Sequence, residues 1–262
     1  MISRWHTAFL KALYSRRLRL LLVAMTTTGV VASMSVPAVD PGSAPPRGSE
    51  VPMLAPHPPT TPGQSATLMP DGRWLLIGGM EHPSALQILD PVAERTEDLP
   101  LELSEPRSGH TASLLPDGSV LIFGGVGAHG DILGTAEQYD PVASTLTPLG
   151  EIGLEARAYH SATVLTDGRL LILGGEGAQI QLLTDGQIFD PATHAVTALA
   201  AQLPTPEIGG AATLLSDGTV LLFGGTDLAQ KPVANGALFN PTDNTLVPIG
   251  ADTDTSEAPD AG

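Results

Sequence analysis

With 262 residues and no cysteine, the chain cannot carry a disulfide, a thiolate nucleophile or a cysteine-ligated metal. Its 29 glycines, 24 prolines and 42% apolar content, with only 4% aromatics, suit short strands joined by many turns. The formal charge is −16, yet residues 1–38 hold five of the twelve cations and no acid, leaving seven cations against 28 acids on the rest; such a body repels nucleic acid and anionic membranes.

The amino terminus has the layout of an export signal. Residues 4–19 are basic, residues 20–39 are uncharged, and Val36-Pro37-Ala38 offers small residues for a signal peptidase. Residues 1–38 are therefore expected to be a signal peptide or, if uncleaved, a membrane anchor, because the uncharged stretch is about long enough to span a bilayer. Ser15-Arg16-Arg17 resembles part of a twin-arginine signal. Residues 39–63 read as a linker rich in Pro, Gly and Ser.

Residues 64–250 hold four near-copies of one pattern, Gln64–Gly72, His110–Gly118, His160–Gly168 and Gly210–Gly218, each followed by an apolar run and a Gly-Gly pair. The pairs are Gly78-Gly79, Gly124-Gly125, Gly174-Gly175 and Gly224-Gly225; the copies close on Asp90-Pro91, Asp140-Pro141, Asp190-Pro191 and Asn240-Pro241. A fixed period near 50 residues means one supersecondary unit used repeatedly. In the third copy, Ser161–Leu165, Arg169–Leu173, Gly186–Phe189 and Ala195–Leu199 read as four strands, with Asp167-Gly168 as a primed hairpin turn. The runs Trp74–Ile77, Val120–Phe123 and Val220–Phe223 read as strands buried on both faces. The first copy lacks four residues in the loop after its Gly-Gly. Each repeat is thus one four-stranded antiparallel sheet, the size of a propeller blade.

The Gly-Gly after an apolar strand, with Tyr139-Asp140-Pro141 or Phe189-Asp190-Pro191 downstream, resembles the kelch repeat. The Asp-Gly-x-Leu-Leu-Ile-x-Gly-Gly form is similar to the propeller of bacterial galactose-oxidase-like proteins. The expected fold is all-β: a kelch-type β-propeller with four recognisable four-stranded blades. The resemblance implies a Trp six residues after the Asp of Asp-Pro, where this chain has Thr96, Leu146, Val196 and Leu246. It also implies more blades than four. Glu50–Leu54 reads as the fourth strand of an absent preceding blade, or as plain linker. A compact four-blade ring, a fragment of a larger ring, and two chains completing one ring as a homodimer all remain open. Residues 251–262 read as an acidic disordered tail.

Antiparallel strand order puts the Asp-Gly and Asp-Pro turns on one side of the blades. It puts the longer, varied loops on the other, where binding is expected. Candidate ligand-binding residues there are Arg107 and His110, repeated as Arg157 and His160, with His129, Asp131 and Glu176. Convergent Arg-x-x-His donors can grip a carboxylate or sugar, although a repeated polar residue more often satisfies backbone at the same place in each blade. The fourth copy has Glu207 and Gly210 instead. One local pair, His129 and Asp131, falls short of a metal site. The copper chemistry of galactose oxidase, which the resemblance brings to mind, uses a Tyr crosslinked to Cys, and this chain has no Cys. No catalytic residue, metal ligand set or cofactor is therefore assigned. The expected function is a secreted, periplasmic or cell-surface bacterial binding module for a protein or glycan ligand, non-catalytic, with no nucleic-acid partner and no membrane contact beyond an uncleaved anchor. The alternative is a carbohydrate-active enzyme of the galactose-oxidase-like class, an isomerase or diverged oxidase.

Overall fold

The computed structural model describes residues 60–205 and 207–249. The export signal, the Glu50–Leu54 strand and the acidic tail all lie outside these residues.

Every regular element described is a strand. Blade 1 consists of β1 (Ser65–Leu68), β2 (Trp74–Ile77), β3 (Ala85–Asp90) and β4 (Arg95–Glu102), hydrogen-bonded in that order. Blade 2 follows a two-residue strand β5 (Arg107–Ser108) and holds β6 (Thr111–Leu114), β7 (Val120–Phe123), β9 (Thr135–Asp140) and β10 (Thr145–Glu151). Here β8 (Val126–Gly127) leaves the sheet to pair with β5. Blade 3 repeats this with β11 (Arg157–Ala158), β12 (Ser161–Val164), β13 (Leu170–Leu173), β14 (Glu176–Gly177), β15 (Gly186–Asp190) and β16 (Ala195–Ala198). Blade 4 is β17 (Ala211–Leu214), β18 (Val220–Phe223), β19 (Gly236–Asn240) and β20 (Thr245–Ile249). All pairings are antiparallel, so the four expected sheets are present. The small β5–β8 and β11–β14 ribbons were not expected.

The turns follow from local chemistry. Gly72, Gly118, Gly168 and Gly218 take φ between 85° and 88°, while the Asp before each does not enter the left-handed region. Gly118 N–H donates to Leu115 O, and Leu115 N–H donates to Ser119 O. These are therefore not primed turns: only the glycine is left-handed, and in blades 1 and 2 Pro70 and Pro116 fix the φ that an ordinary type I turn wants. Each Asp acts as a local cap, Asp117 Oδ1 accepting from Ser119 N–H at 2.9 Å. On the Asp-Pro turns, Asp140 Oδ1 accepts from Val142 and Ala143 N–H in the same way.

The central runs β7 and β13 are buried on both sides along their whole length, but β18 is not as expected: Phe223 at its end is 53% exposed, because no further blade packs on that face among the described residues. Three apolar clusters lie between consecutive blades. Leu75, Ile77 and Ile88 meet Val120, Ile122 and Tyr139; Leu121 and Phe123 meet Leu170, Ile172 and Phe189; Leu171, Leu173 and Ile188 meet Val220, Leu222 and Phe239. Each such side chain contributes about 1.5–3 kcal/mol on burial. Where the resemblance implied a Trp, Leu146, Val196 and Leu246 pack against these clusters. The innermost strands adjoin in series, β1 on β6, β6 on β12 and β12 on β17. Among the described residues no comparable packing returns from β17 to β1, and these four blades do not close into a ring.

The Gly-Gly pairs stand where the next blade's chain crosses over them. A Cβ on Gly124 would lie 2.4 Å from Arg157 O, and Gly125 N–H donates to that same oxygen. Gly124→Ala is expected to destabilise by about 3 kcal/mol or more, because strain at φ 69° adds to the backbone clash. Gly118→Ala, also left-handed at φ 88° but with open space around its Cβ, should cost about 1–2 kcal/mol. Urea midpoints of the two variants check the difference.

Candidate functional site

Arg107 and Arg157 sit on the short strands β5 and β11, which turn their side chains inward. Both are fully buried. The Arg107 guanidinium donates to Gly124 O at 2.9 Å, Thr135 O at 3.1 Å and Glu137 Oε1 at 3.1 Å. Glu137 is itself buried and also accepts from Ser104 N–H at 3.0 Å. Arg157 donates to Gly174 O at 3.0 Å, Asp185 Oδ2 at 3.1 Å and Gln187 Oε1 at 3.2 Å. Each arginine thereby closes its own Gly-Gly corner onto the third strand of its blade.

The histidines link blades. His110 Nε2 and Ser65 Oγ share a hydrogen bond of 2.8 Å, and His160 Nε2 and Thr111 Oγ1 share one of 2.9 Å. The Nδ1 of each ring is buried without a partner among the described residues. Burial, with the neighbouring Arg107 or Arg157 charge, pushes each imidazole down to about 3, so both rings are neutral near pH 7. His160 also meets the Phe123 ring edge-on, with centroids 5.4 Å apart. The four predicted donors are thus brought together in the inter-blade core rather than on the surface.

Blade 4 breaks the pattern. Glu207 takes the place of the arginine and is buried. Asn235 and Ala237 occupy the positions of Asp185 and Gln187, and among the described residues no cation pairs with the Glu207 carboxylate. Burial pushes Glu207 up to about 7. A small cavity lies beside it, bounded by Leu203, Thr205, Leu222 and Asn235.

The loop face carries a repeated tight hairpin in blades 2, 3 and 4. Gly127 N–H donates to Asp131 O, Gly177 N–H to Gln181 O, and Asp227 N–H to Lys231 O. His129 and Asp131 are exposed on the first hairpin, and Glu176 is half-buried at the base of the second. Among the described residues no three His, Cys, Asp or Glu side chains converge to hold a metal. The left-handed position of these hairpins is Gly130, Ile180 and Gln230, with φ of 81°, 61° and 62°. Ile180 is 41% exposed and Leu228, at the tip of the third hairpin, 47%.

Below the hairpins a chain of backbone bonds crosses the blades. Gly109 N–H donates to Gly63 O, Tyr159 N–H to Gly109 O, and Gly209 N–H to Tyr159 O. Three of these equivalent residues are left-handed glycines; Tyr159, with φ 54°, is the exception. Its ring lies on Gly109, where a Cβ would come within 2.4 Å of it. Burial, and then the nearby Glu176 charge, raise its phenol above the ordinary tyrosine range. Tyr159 was missed as a site residue; the signal was its place as the one bulky residue in a glycine column.

No protein-family model matches the chain, and no characterised protein matches it in sequence. Among solved structures, the chain is similar to the structure of YjhT: 16% identity, a TM-score of 0.62, 75% of this chain and 68% of that one. It is also similar to a fungal alcohol oxidase of the AA5 family in complex with copper: 17% identity, a TM-score of 0.48, 73% of this chain and 53% of that one. With its four-stranded antiparallel sheets, the chain has an all-β, propeller-type fold similar to that of YjhT.

Proposed function

We propose that this chain is a kelch-repeat binding module, secreted or periplasmic, that engages a protein or glycan through its hairpin face without catalysing a reaction. Ile180 carries this reading. A β-branched residue in the left-handed region costs about 1–2 kcal/mol, and blade 2 avoids that cost with Gly130 at the same place. An exposed side chain kept at such a cost fits contact with a ligand. Leu228 adds apolar surface, and His129, Asp131, Gln179 and Lys231 add polar groups around it. Arg107, His110, Arg157 and His160 serve this surface from beneath, by fixing the loops that carry it.

The test is a glycan array probed with the full chain and with Ile180→Gly. The variant is expected to keep its stability or gain up to about 1 kcal/mol, since relief of strain outweighs the added freedom of the unfolded chain, and to lose array signal. Loss of more than about 1 kcal/mol would assign Ile180 to packing and remove the support.

One observation favours a carbohydrate-active enzyme instead: the buried Tyr159 phenol close to Glu176, beneath the hairpins. Sugar turnover by the full chain, abolished in Tyr159→Phe, would replace the non-catalytic reading.

A further inference from the structure

The corner that an arginine closes in blades 2 and 3 is left open in blade 4. Arg107 and Arg157 each place Nη1 on the carbonyl of the first glycine of the pair, Gly124 O or Gly174 O. Each places Nε on the carbonyl two residues earlier, Glu105 O or Glu155 O. Nη2 reaches the third strand, at Glu137 Oε1 or Gln187 Oε1. Three changes clear this space in blade 4: Glu207 replaces the arginine, Ala237 truncates the third-strand side chain, and Gly210 replaces the histidine of the earlier blades. The cavity beside Glu207 is bounded by Thr205 and Ala237, the counterparts of the residues that hold the two guanidinium groups. Pro204 and Asn235 also bound it and are exposed, so it is reached from solvent. Leu203, Leu222 and Ala237 belong to the cluster between blades 3 and 4, so the cavity is formed within the array.

We propose that the blade 4 corner receives an arginine side chain of a protein partner, whose guanidinium takes the place that Arg107 and Arg157 fill within the chain. The corner offers acceptors and lacks a donor. Glu207 is 7% exposed, and among the described residues no donor reaches its carboxylate. No donor reaches Gly224 O either, whereas Gly124 O and Gly174 O each receive an arginine. A carboxylate removed from water calls for a cation with hydrogen bonds to give. A guanidinium suits acceptors spread over several elements because its donors form a rigid planar fork. The excess of acids on the body of the chain favours a basic partner. The corner shares no residue with the hairpin tip at Ile180, so the two binding surfaces stand or fall separately.

The test follows thermal unfolding of the full chain at pH 8 with the capped tripeptide Gly-Arg-Gly at millimolar concentration. The same peptide with citrulline or lysine in place of arginine, and potassium chloride at equal ionic strength, are the comparisons. The arginine peptide is expected to raise the midpoint by about 2–4 °C at tenfold its dissociation constant. The citrulline peptide, equal in shape but uncharged, is expected to leave it unmoved. Glu207→Gln is expected to weaken the arginine peptide by at least about tenfold. Ala237→Gln refills the space as Gln187 does and is expected to abolish the response with Glu207 still in place. No response to the arginine peptide, an equal response to the citrulline peptide, or a response that survives Glu207→Gln overturns the proposal. An equal response to the lysine peptide or to potassium overturns it in favour of a plain cation site. A Glu207→Gln variant less stable than the parent at pH 8 without peptide overturns it in favour of a cation of this chain as the occupant.

Discussion

Arg107→Ala is expected to lower the unfolding free energy by about 3–5 kcal/mol, a large part of the total of about 5–15 kcal/mol that holds a typical domain. The loss does not come from the ion pair as such, because the attraction between two buried charges is largely offset by what their desolvation costs. It comes from what remains. Glu137 keeps the Ser104 and Glu105 N–H donors but loses the one cation it pairs with among the described residues, and its side chain is 2% exposed, so water cannot replace the guanidinium. Gly124 O and Thr135 O lose a donor as well. Arg157→Ala is the natural control. Its partners are a neutral amide, Gln187, and the Asp185 carboxylate, whose side chain is 33% exposed and can be hydrated. A cost of about 1–3 kcal/mol is expected there. Replacing the first pair together, Arg107→Met with Glu137→Met, should recover much of the loss, since no charge is then stranded. Urea unfolding at constant m-value reads all three. Equal effects of the two alanine variants would show that Glu137 is not the source of the cost.

What the sequence made legible divides along a physical line. Strand positions came from local alternation and apolar runs, and Trp74–Ile77, Val120–Phe123, Val220–Phe223 and Thr245–Ile249 stand where they were read. The Gly-Gly pairs signalled close backbone approach, and the crossing of Gly124 by Arg157 O is that approach. Turn type was misread because Asp-Gly alone does not distinguish a primed turn from a type I turn ending in a left-handed glycine; the preceding Pro70 and Pro116 carry the distinction. The ribbon strands β5 and β8 were missed because a two-residue pairing leaves no periodicity to detect. The inward direction of Arg107 and Arg157 depends on acceptors some 30 residues away in the sequence, Glu137 and Gln187, which no local pattern connects to them. Ring closure was least legible of all. It depends on the angle accumulated between blades, set by side-chain volumes at contacts such as Leu154 and Leu203.

The same buried groups predict a distinctive response to acid. His110 and His160 have folded values near 3 against an ordinary 6.5. A lowered folded value means that protonation favours the unfolded chain. Stability from these rings is present above about pH 6.5 and is lost as pH falls toward 3, by up to about 5 kcal/mol per ring. Glu207 has the opposite sign. Its folded value is near 7 against an ordinary 4.5, so stability is present below pH 4.5 and is lost as pH rises through 7, by up to about 3 kcal/mol. Between pH 6.5 and 4.5 the two rings lose stability while Glu207 regains some, and the net fall is shallow. Below pH 4.5 the Glu207 gain is complete and the fall steepens. Glu207→Gln separates the contributions: it is expected to stabilise the protein at pH 8, to leave it unchanged at pH 4, and to steepen the loss between pH 6.5 and 4.5. The caps Asp71, Asp117 and Asp217, whose values lie below the ordinary 3.8, act only at still lower pH and leave this window clear. Urea midpoints at pH 8, 6.5, 5.5, 4.5 and 4 give the curve. A wild-type stability that stays flat from pH 6.5 to 4 would show that His110 and His160 accept protons without opening the contacts to Ser65 and Thr111, and that the inter-blade core is wetter than its burial implies.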